Sequence, residues 1–87
     1  VDIDWEFPGG GGEAGNSVSP NDGANYALLL ANVRGKLDAL GARLGRTYEI
    51  SVAAPAGSDK IATFNAAGLA PHIDFFNLMC YDLYGAW

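Results

Sequence analysis

The sequence predicts an α/β fold built on a parallel sheet, and three observations carry that prediction. Residues 1–7 alternate apolar and acidic side chains; residues 26–44 repeat apolar side chains every three or four positions; and residues 48–55 and 75–81 are two nearly continuous apolar runs. A period of two marks a strand with distinct faces, a period near 3.6 marks an amphipathic helix, and an unbroken apolar run fits a strand buried on both faces. Strand, helix, strand, short helix, strand is the order of right-handed βαβ units. By itself, the order of three strands does not separate an open sheet from a closed barrel.

The first strand, Val1-Asp2-Ile3-Asp4-Trp5-Glu6-Phe7, puts Asp2, Asp4 and Glu6 on one face and the apolar residues on the other. At roughly 3.3 Å per residue, neighbouring carboxylates leave the backbone roughly 7 Å apart, and their side chains close much of that gap. Such a ladder is tolerated if it is wet, or if protons and hydrogen bonds are shared so that the pKa values spread apart, the condition that acid/base chemistry needs. On alternation alone, a half-exposed strand with a solvated face is the commoner reading. From Pro8 through Ser19 a Gly/Ser/Asn/Pro stretch without periodicity reads as a long surface loop.

Ser19-Pro20-Asn21-Asp22 is a helix start, with Ser19 as N-cap and Pro20 in the first turn, or with Asn21 or Asp22 as the cap. Tyr26, Leu29, Leu30, Val33, Leu37, Leu40 and Leu44 then draw one apolar stripe along about six turns. Gly35 and Gly41 each cost about 1 kcal/mol relative to Ala, so this helix depends on packing. Gly45 is placed as its C-cap, with Arg43 and Arg46 suited to the helix dipole. The second strand, 48–55, ends at Pro55 and Gly57. A short helical segment is expected over 60–69, a turn at Ala70-Pro71-His72, and a third strand over 73–83. His72, standing alone before a strand, reads as a surface or capping residue.

With 87 residues, 49% of them hydrophobic, and a formal charge of -5, the chain reads as one globular unit, not as a disordered segment. It begins on a strand without Met and ends on an apolar run, so it is expected to be cut at both ends. No apolar stretch approaches the length of a membrane helix. Acidity, only five Lys plus Arg and no basic cluster argue against nucleic acid and favour a carbohydrate or other neutral ligand. Cys80, inside an apolar run, reads as a buried small hydrophobe. One His and one Cys far apart make no zinc pattern, and the calcium-loop pattern fails at Glu6 and Phe7.

The string Val-Asp-Ile-Asp-Trp-Glu-Phe-Pro resembles the Asp-Gly-x-x-Asp-x-Asp-x-Glu region of family 18 glycoside hydrolases, the chitinases. Asp2, Asp4 and Glu6 match its last three acids, and its first Asp and the Gly are expected just before Val1. A second stretch, Asn77-Leu78-Met79-Cys80-Tyr81-Asp82, followed by Gly85 and Trp87, resembles the family's Asn-Leu-Met-x-Tyr-Asp segment. Ser-Val-Ala-Ala-Pro-Ala-Gly lies between, where the intervening strand is expected. Without the first motif, Met79 and Tyr81 would read as core and Asp82 as a strand-end turn. The resemblance implies a partial (β/α)8 TIM barrel covering about strands 4 to 6 and the helices between them. Residues 1–87 would then be a fragment of one catalytic domain, since a whole barrel takes about 250 residues.

The implied chemistry is retaining, substrate-assisted hydrolysis of β-1,4 N-acetylglucosamine linkages, an exception to the usual protein nucleophile. Glu6 is expected as general acid and then base, Asp4 to hold the acetamido N–H, Asp2 to share a proton with Asp4, and Tyr81 to donate to the acetamido group. Met79 would floor the site, Asp82 would contact the sugar, and Trp87 would offer an aromatic face at the rim or else pack at the strand end. Alternation cannot turn both Tyr81 and Asp82 inward, so the strand is expected to end or bulge there. No cofactor or metal is implied; the expected partner is chitin or its oligosaccharides, and the expected location is extracellular. The alternatives are a non-catalytic chitin-binding lectin on the same barrel, disfavoured by the retained Glu6, and an endo-β-N-acetylglucosaminidase acting on N-glycans. Endo versus exo action and oligomeric state stay open.

Overall fold

The structure, a computed structural model, describes residues 1–81. Its elements run β1 (Asp2–Ile3), α1 (Asp22–Leu44), β2 (Ser51–Pro55), α2 (Ser58–Phe64), α3 (Ala66–Leu69), a 3-10 turn (Ala70–His72) and β3 (Phe75–Met79). The strands form one sheet in the order β1-β2-β3, and both pairings are parallel. Register places Asp2 opposite Ser51 and Ser51 opposite Phe75, with Ile3, Val52 and Phe76 one step on.

One sheet face and the helices make the core. Ile50, Val52 and Ala54 from around β2 meet Tyr26 and Leu30 of α1, Phe64 of α2 and Leu69 of α3, all buried, while Ile3, Trp5 and Phe76 pack against the same cluster. Aromatic rings bridge its layers: Trp5 to Tyr26 at 5.0 Å, Tyr26 to Phe64 at 5.8 Å edge-on, and Phe64 to Phe76 at 6.5 Å between centroids. Fully burying a residue such as Leu30 is worth about 1.5–3 kcal/mol, and α1, weakened by its interior glycines, relies on contacts of this kind. The expected stripe is narrower than its sequence suggests. Tyr26 and Leu30 are buried and Val33 and Leu37 partly so, whereas Leu29 and Leu44 are exposed, lying at the margins of the face that meets the sheet.

The helix cap is Asn21, one of the alternatives to Ser19, and Gly45 ends α1 in the left-handed conformation at φ 68°. The single helical segment expected over 60–69 is two short helices. Asn65 stands between them at φ 62°, and its amide donates to the Gly23 carbonyl at 2.9 Å, breaking the helix while tying it to the start of α1. All three strands are shorter than expected, and β2 starts at Ser51 rather than at Tyr48. β1 leaves the ladder after Ile3 while β2 and β3 continue together to Pro55 and Met79, and β3 ends two residues before Tyr81. All of β2 is buried, as its apolar run predicts, but β3 is an edge strand with Phe75 and Leu78 exposed, and Cys80 is exposed where burial was expected. Asp82 and Trp87, and with Asp82 the expected inward turn, lie outside the described residues.

A polar cluster fixes the amino-terminal ends of β2 and β3. Arg34 of α1 donates to the carbonyls of His72 at 3.0 Å and Tyr48 at 3.1 Å and to Asp74 at 2.6 Å. Asp74 also accepts the Ile50 N–H at 2.8 Å. That backbone bond and the Arg34 guanidinium hold the Asp74 carboxyl below its usual 3.8. His72 enters through its carbonyl, within a turn and outside any site.

Candidate active site at the carboxyl ends of the strands

Parity along β1 carries Asp2, Asp4 and Glu6 away from the helices, because Ile3 and Trp5 are committed to the core. The same parity on the neighbouring strands sends Ser51, Ala53 and Pro55, and Phe75, Asn77 and Met79, to that carboxylate face. Asp2 lies deepest along the ladder. Its Oδ1 accepts from the Ser51 hydroxyl at 2.7 Å and from the Asn77 amide at 3.3 Å.

Beyond the point where β1 parts from β2, a cavity of about 590 Å³ opens, with Glu6, Phe7, Pro55, Lys60, Met79 and Tyr81 in its wall. A second, of about 420 Å³, brings Asp4 and Glu6 together beneath the glycine loop. The first is of the size of small-ligand sites. Glu6 lines both cavities, so it stands with Met79 and Tyr81 in the first and with Asp4 in the second, and Asp2 lies farther back along the same face.

Electrostatics act on Glu6. The Glu6 carboxyl is pushed above its usual 4.5 by partial desolvation, then by the negative charge of Asp4, then by the hydrogen bond it shares with Asp4; the Lys60 ammonium opposes the rise. Lys60 also stands 5.3 Å from the centre of the Phe7 ring, within cation–π range. Behind the sheet, burial and then the charges of Asp4 and Asp2 push the Tyr26 phenol up to about 12, so it stays a neutral core residue.

The loop between β1 and α1 is shaped by its glycines. Gly9, Gly10 and Gly11 have φ of 84°, 103° and 95°, conformations that residues with a Cβ rarely adopt. Asp22, 8% exposed, ties both ends of the loop: its Oδ2 accepts the N–H groups of Gly9 at 3.1 Å and Ser19 at 3.0 Å. Gly12 comes so close to the Glu6 carbonyl that a side chain there would overlap it, and the Asn16 amide reaches the same oxygen at 3.5 Å. Ser51, Asn77, Lys60, Asp22 and Gly12 were not singled out from sequence for this site. For Ser51 and Asn77 a signal existed: each is the polar residue inside an otherwise apolar strand.

These features define a class: a parallel α/β sheet with a carboxylate ladder that ends in a cleft at the carboxyl ends of its strands. Comparison with known proteins makes the assignment specific. The family model for glycosyl hydrolases family 18 matches residues 1–87. Chitinase A1 of Niallia circulans is 46% identical over 87 residues, which are 100% of this chain and 12% of that protein. The catalytic domain of psychrophilic chitinase B from Arthrobacter TAD20 superposes with a TM-score of 0.93 at 41% identity, over 99% of this chain and 21% of that one. A family 18 N-acetylglucosaminidase from Paenibacillus barengoltzii gives 0.89 at 42% identity, over 100% of this chain and 25% of that one. The chain belongs to glycosyl hydrolases family 18, and it spans only a small part of the length of these relatives.

Proposed function

We propose that the chain supplies about strands four to six of a (β/α)8 barrel, with the helices between them, in the catalytic domain of a secreted chitinase. The enzyme would hydrolyse β-1,4 links between N-acetylglucosamine units with retention of configuration. The observation that carries this reading is Glu6, a carboxyl with a raised pKa, paired with Asp4 and facing a cavity that Met79 and Tyr81 also line. A carboxyl shifted upward is a better proton donor near neutral pH.

In this mechanism Glu6 gives its proton to the glycosidic oxygen while the acetamido oxygen of the sugar attacks the anomeric carbon. The product is an oxazolinium and a free leaving sugar. Asp4 accepts a hydrogen bond from the acetamido N–H and offsets the positive charge that develops there, while Asp2 exchanges a proton with Asp4. Tyr81 donates to the acetamido oxygen before it attacks, and Met79 forms the floor beneath the group. Glu6, now ionised, then takes a proton from water, which opens the oxazolinium from the face the leaving group vacated. Asp82 as a sugar contact and Trp87 as a rim platform rest on the motif that contains them.

The test is Glu6→Gln in the full-length protein that carries this segment. Turnover of a chromogenic chitobioside should fall by several orders of magnitude with oligosaccharide affinity nearly unchanged, because the amide keeps the shape and has no acidic proton. Turnover near the wild-type rate would refute the assignment.

A further inference from the structure

We infer that Ser51 and Asn77 are positioning residues for Asp2, clamping one of its carboxylate oxygens from two different strands. This rests on the chitinase reading above and adds to it the elements that hold the base of the carboxylate ladder in place. The Ser51 hydroxyl lies 2.7 Å and the Asn77 amide nitrogen 3.3 Å from the same atom, Asp2 Oδ1.

Register explains how two strands reach one atom. Ser51 pairs directly with Asp2, and its side chain points to the same face. Asn77 is one parity step beyond Phe75, the partner of Ser51 on β3, and its longer side chain spans back over β2. Ser51 is 7% exposed on a strand that is otherwise apolar, and Asp2 takes its hydroxyl hydrogen bond. A carboxylate that accepts two hydrogen bonds at one oxygen cannot rotate about its terminal bond without breaking both. The plane of the Asp2 group is therefore set from outside its own strand. With Oδ1 occupied, Oδ2 is left to exchange a proton with Asp4, the step the mechanism assigns to Asp2. Ser51 and Asn77 need not touch substrate for this; they act through Asp2.

The test is a double-mutant cycle in the full-length protein, with kcat and KM for a chromogenic chitobioside and the melting temperature as readouts. Ser51→Ala should lower kcat about tenfold with KM within about twofold, since a hydrogen bond to a charged group is worth roughly that factor. Ser51→Thr, which retains the hydroxyl, should recover most of the loss. Asn77→Ala, at an exposed position, should give a smaller loss in the same direction without lowering the melting temperature, and it serves in place of Ser51→Ala if that variant is unstable. In an Asp2→Ala background, neither substitution should lower kcat further. Equal losses with and without Asp2, or no loss from either single variant, would overturn the inference while leaving Glu6 as proton donor. A fully active Glu6→Gln enzyme would overturn both readings.

Discussion

Replacing Gly12 by Ala tests whether the glycine loop holds Glu6, the proposed proton donor, in place. A Cβ built on Gly12 overlaps the carbonyl oxygen of Glu6, and the contact on both sides is backbone, so no side-chain rotation relieves it. One segment has to retreat by about 1 Å, and a misplacement of that size at a reacting group costs about 10²-fold in rate. The loop side is exposed from Gly11 to Val18 and absorbs part of the strain, whereas Glu6 is held between Trp5 on the core and Phe7 under Lys60. The expected outcome is a fall in kcat of about 10- to 100-fold with little change in KM, measured on the full-length protein with its melting temperature followed in parallel. Gly35→Ala is the control. Nothing lies within 4 Å of a Cβ there, so that variant should gain about 1 kcal/mol of stability and keep its kcat. A Gly12→Ala enzyme with kcat within about twofold of wild type would refute the idea that the loop positions Glu6.

The remaining predictions concern charge and exposure. Asp4→Asn removes two of the three influences that raise Glu6, so its pKa falls toward 4.5 and the alkaline limb of the kcat/KM profile moves to lower pH; Lys60→Gln removes the opposing influence and moves that limb upward, and an unmoved limb in both variants would mean that Glu6 does not set it. Asp74 is held below 3.8 in the folded state, so its contribution to stability is present above that value and is lost as the pH falls through the folded pKa. Denaturant unfolding between pH 2 and pH 7 should therefore show Asp74→Asn less stable than wild type near neutrality and converging with it in acid. Expressed alone, residues 1–87 expose Phe75 and Leu78 on an edge strand and Tyr81 just beyond its end, so the segment should self-associate in sedimentation and lack turnover of a chromogenic chitobioside; a monomer with cooperative unfolding and turnover would show the sheet face to be self-sufficient.

Much of the fold was legible because it is written in local periodicity. The stripe on α1 is set by residues three and four apart, Gly45 ends the helix through its own φ, and the full burial of β2 follows from its unbroken apolar run. The errors share one cause, which is that burial is decided by neighbours a local pattern does not contain. Phe75 to Cys80 has the same composition as a strand covered on both faces. It is nevertheless an edge strand among the described residues, so Leu78 and Cys80 are exposed. Asn65 was hidden for a related reason: its left-handed turn is stabilised by a bond to Gly23, far away in sequence.

The candidate site divides along the same line. Asp2, Asp4 and Glu6 are two residues apart on one strand, so their shared face is a property of the sequence itself. What holds them depends on register and closure. Ser51 and Asn77 meet Asp2 only because β1, β2 and β3 align as they do, and a shift of one residue in either pairing would turn the clamp to the helix face and bury a hydroxyl and an amide among apolar side chains. Asp22 was legible as an acid suited to a helix amino terminus. Its larger role is to take the N–H groups of Gly9 and Ser19 on one oxygen and so to hem the loop over Glu6. The three acids would be recognisable in any chain carrying the motif, whereas their supports are tied to this sheet. Substitutions at Ser51, Asn77 and Gly12 should therefore reduce turnover more than they reduce substrate affinity, because each displaces a carboxyl without removing it.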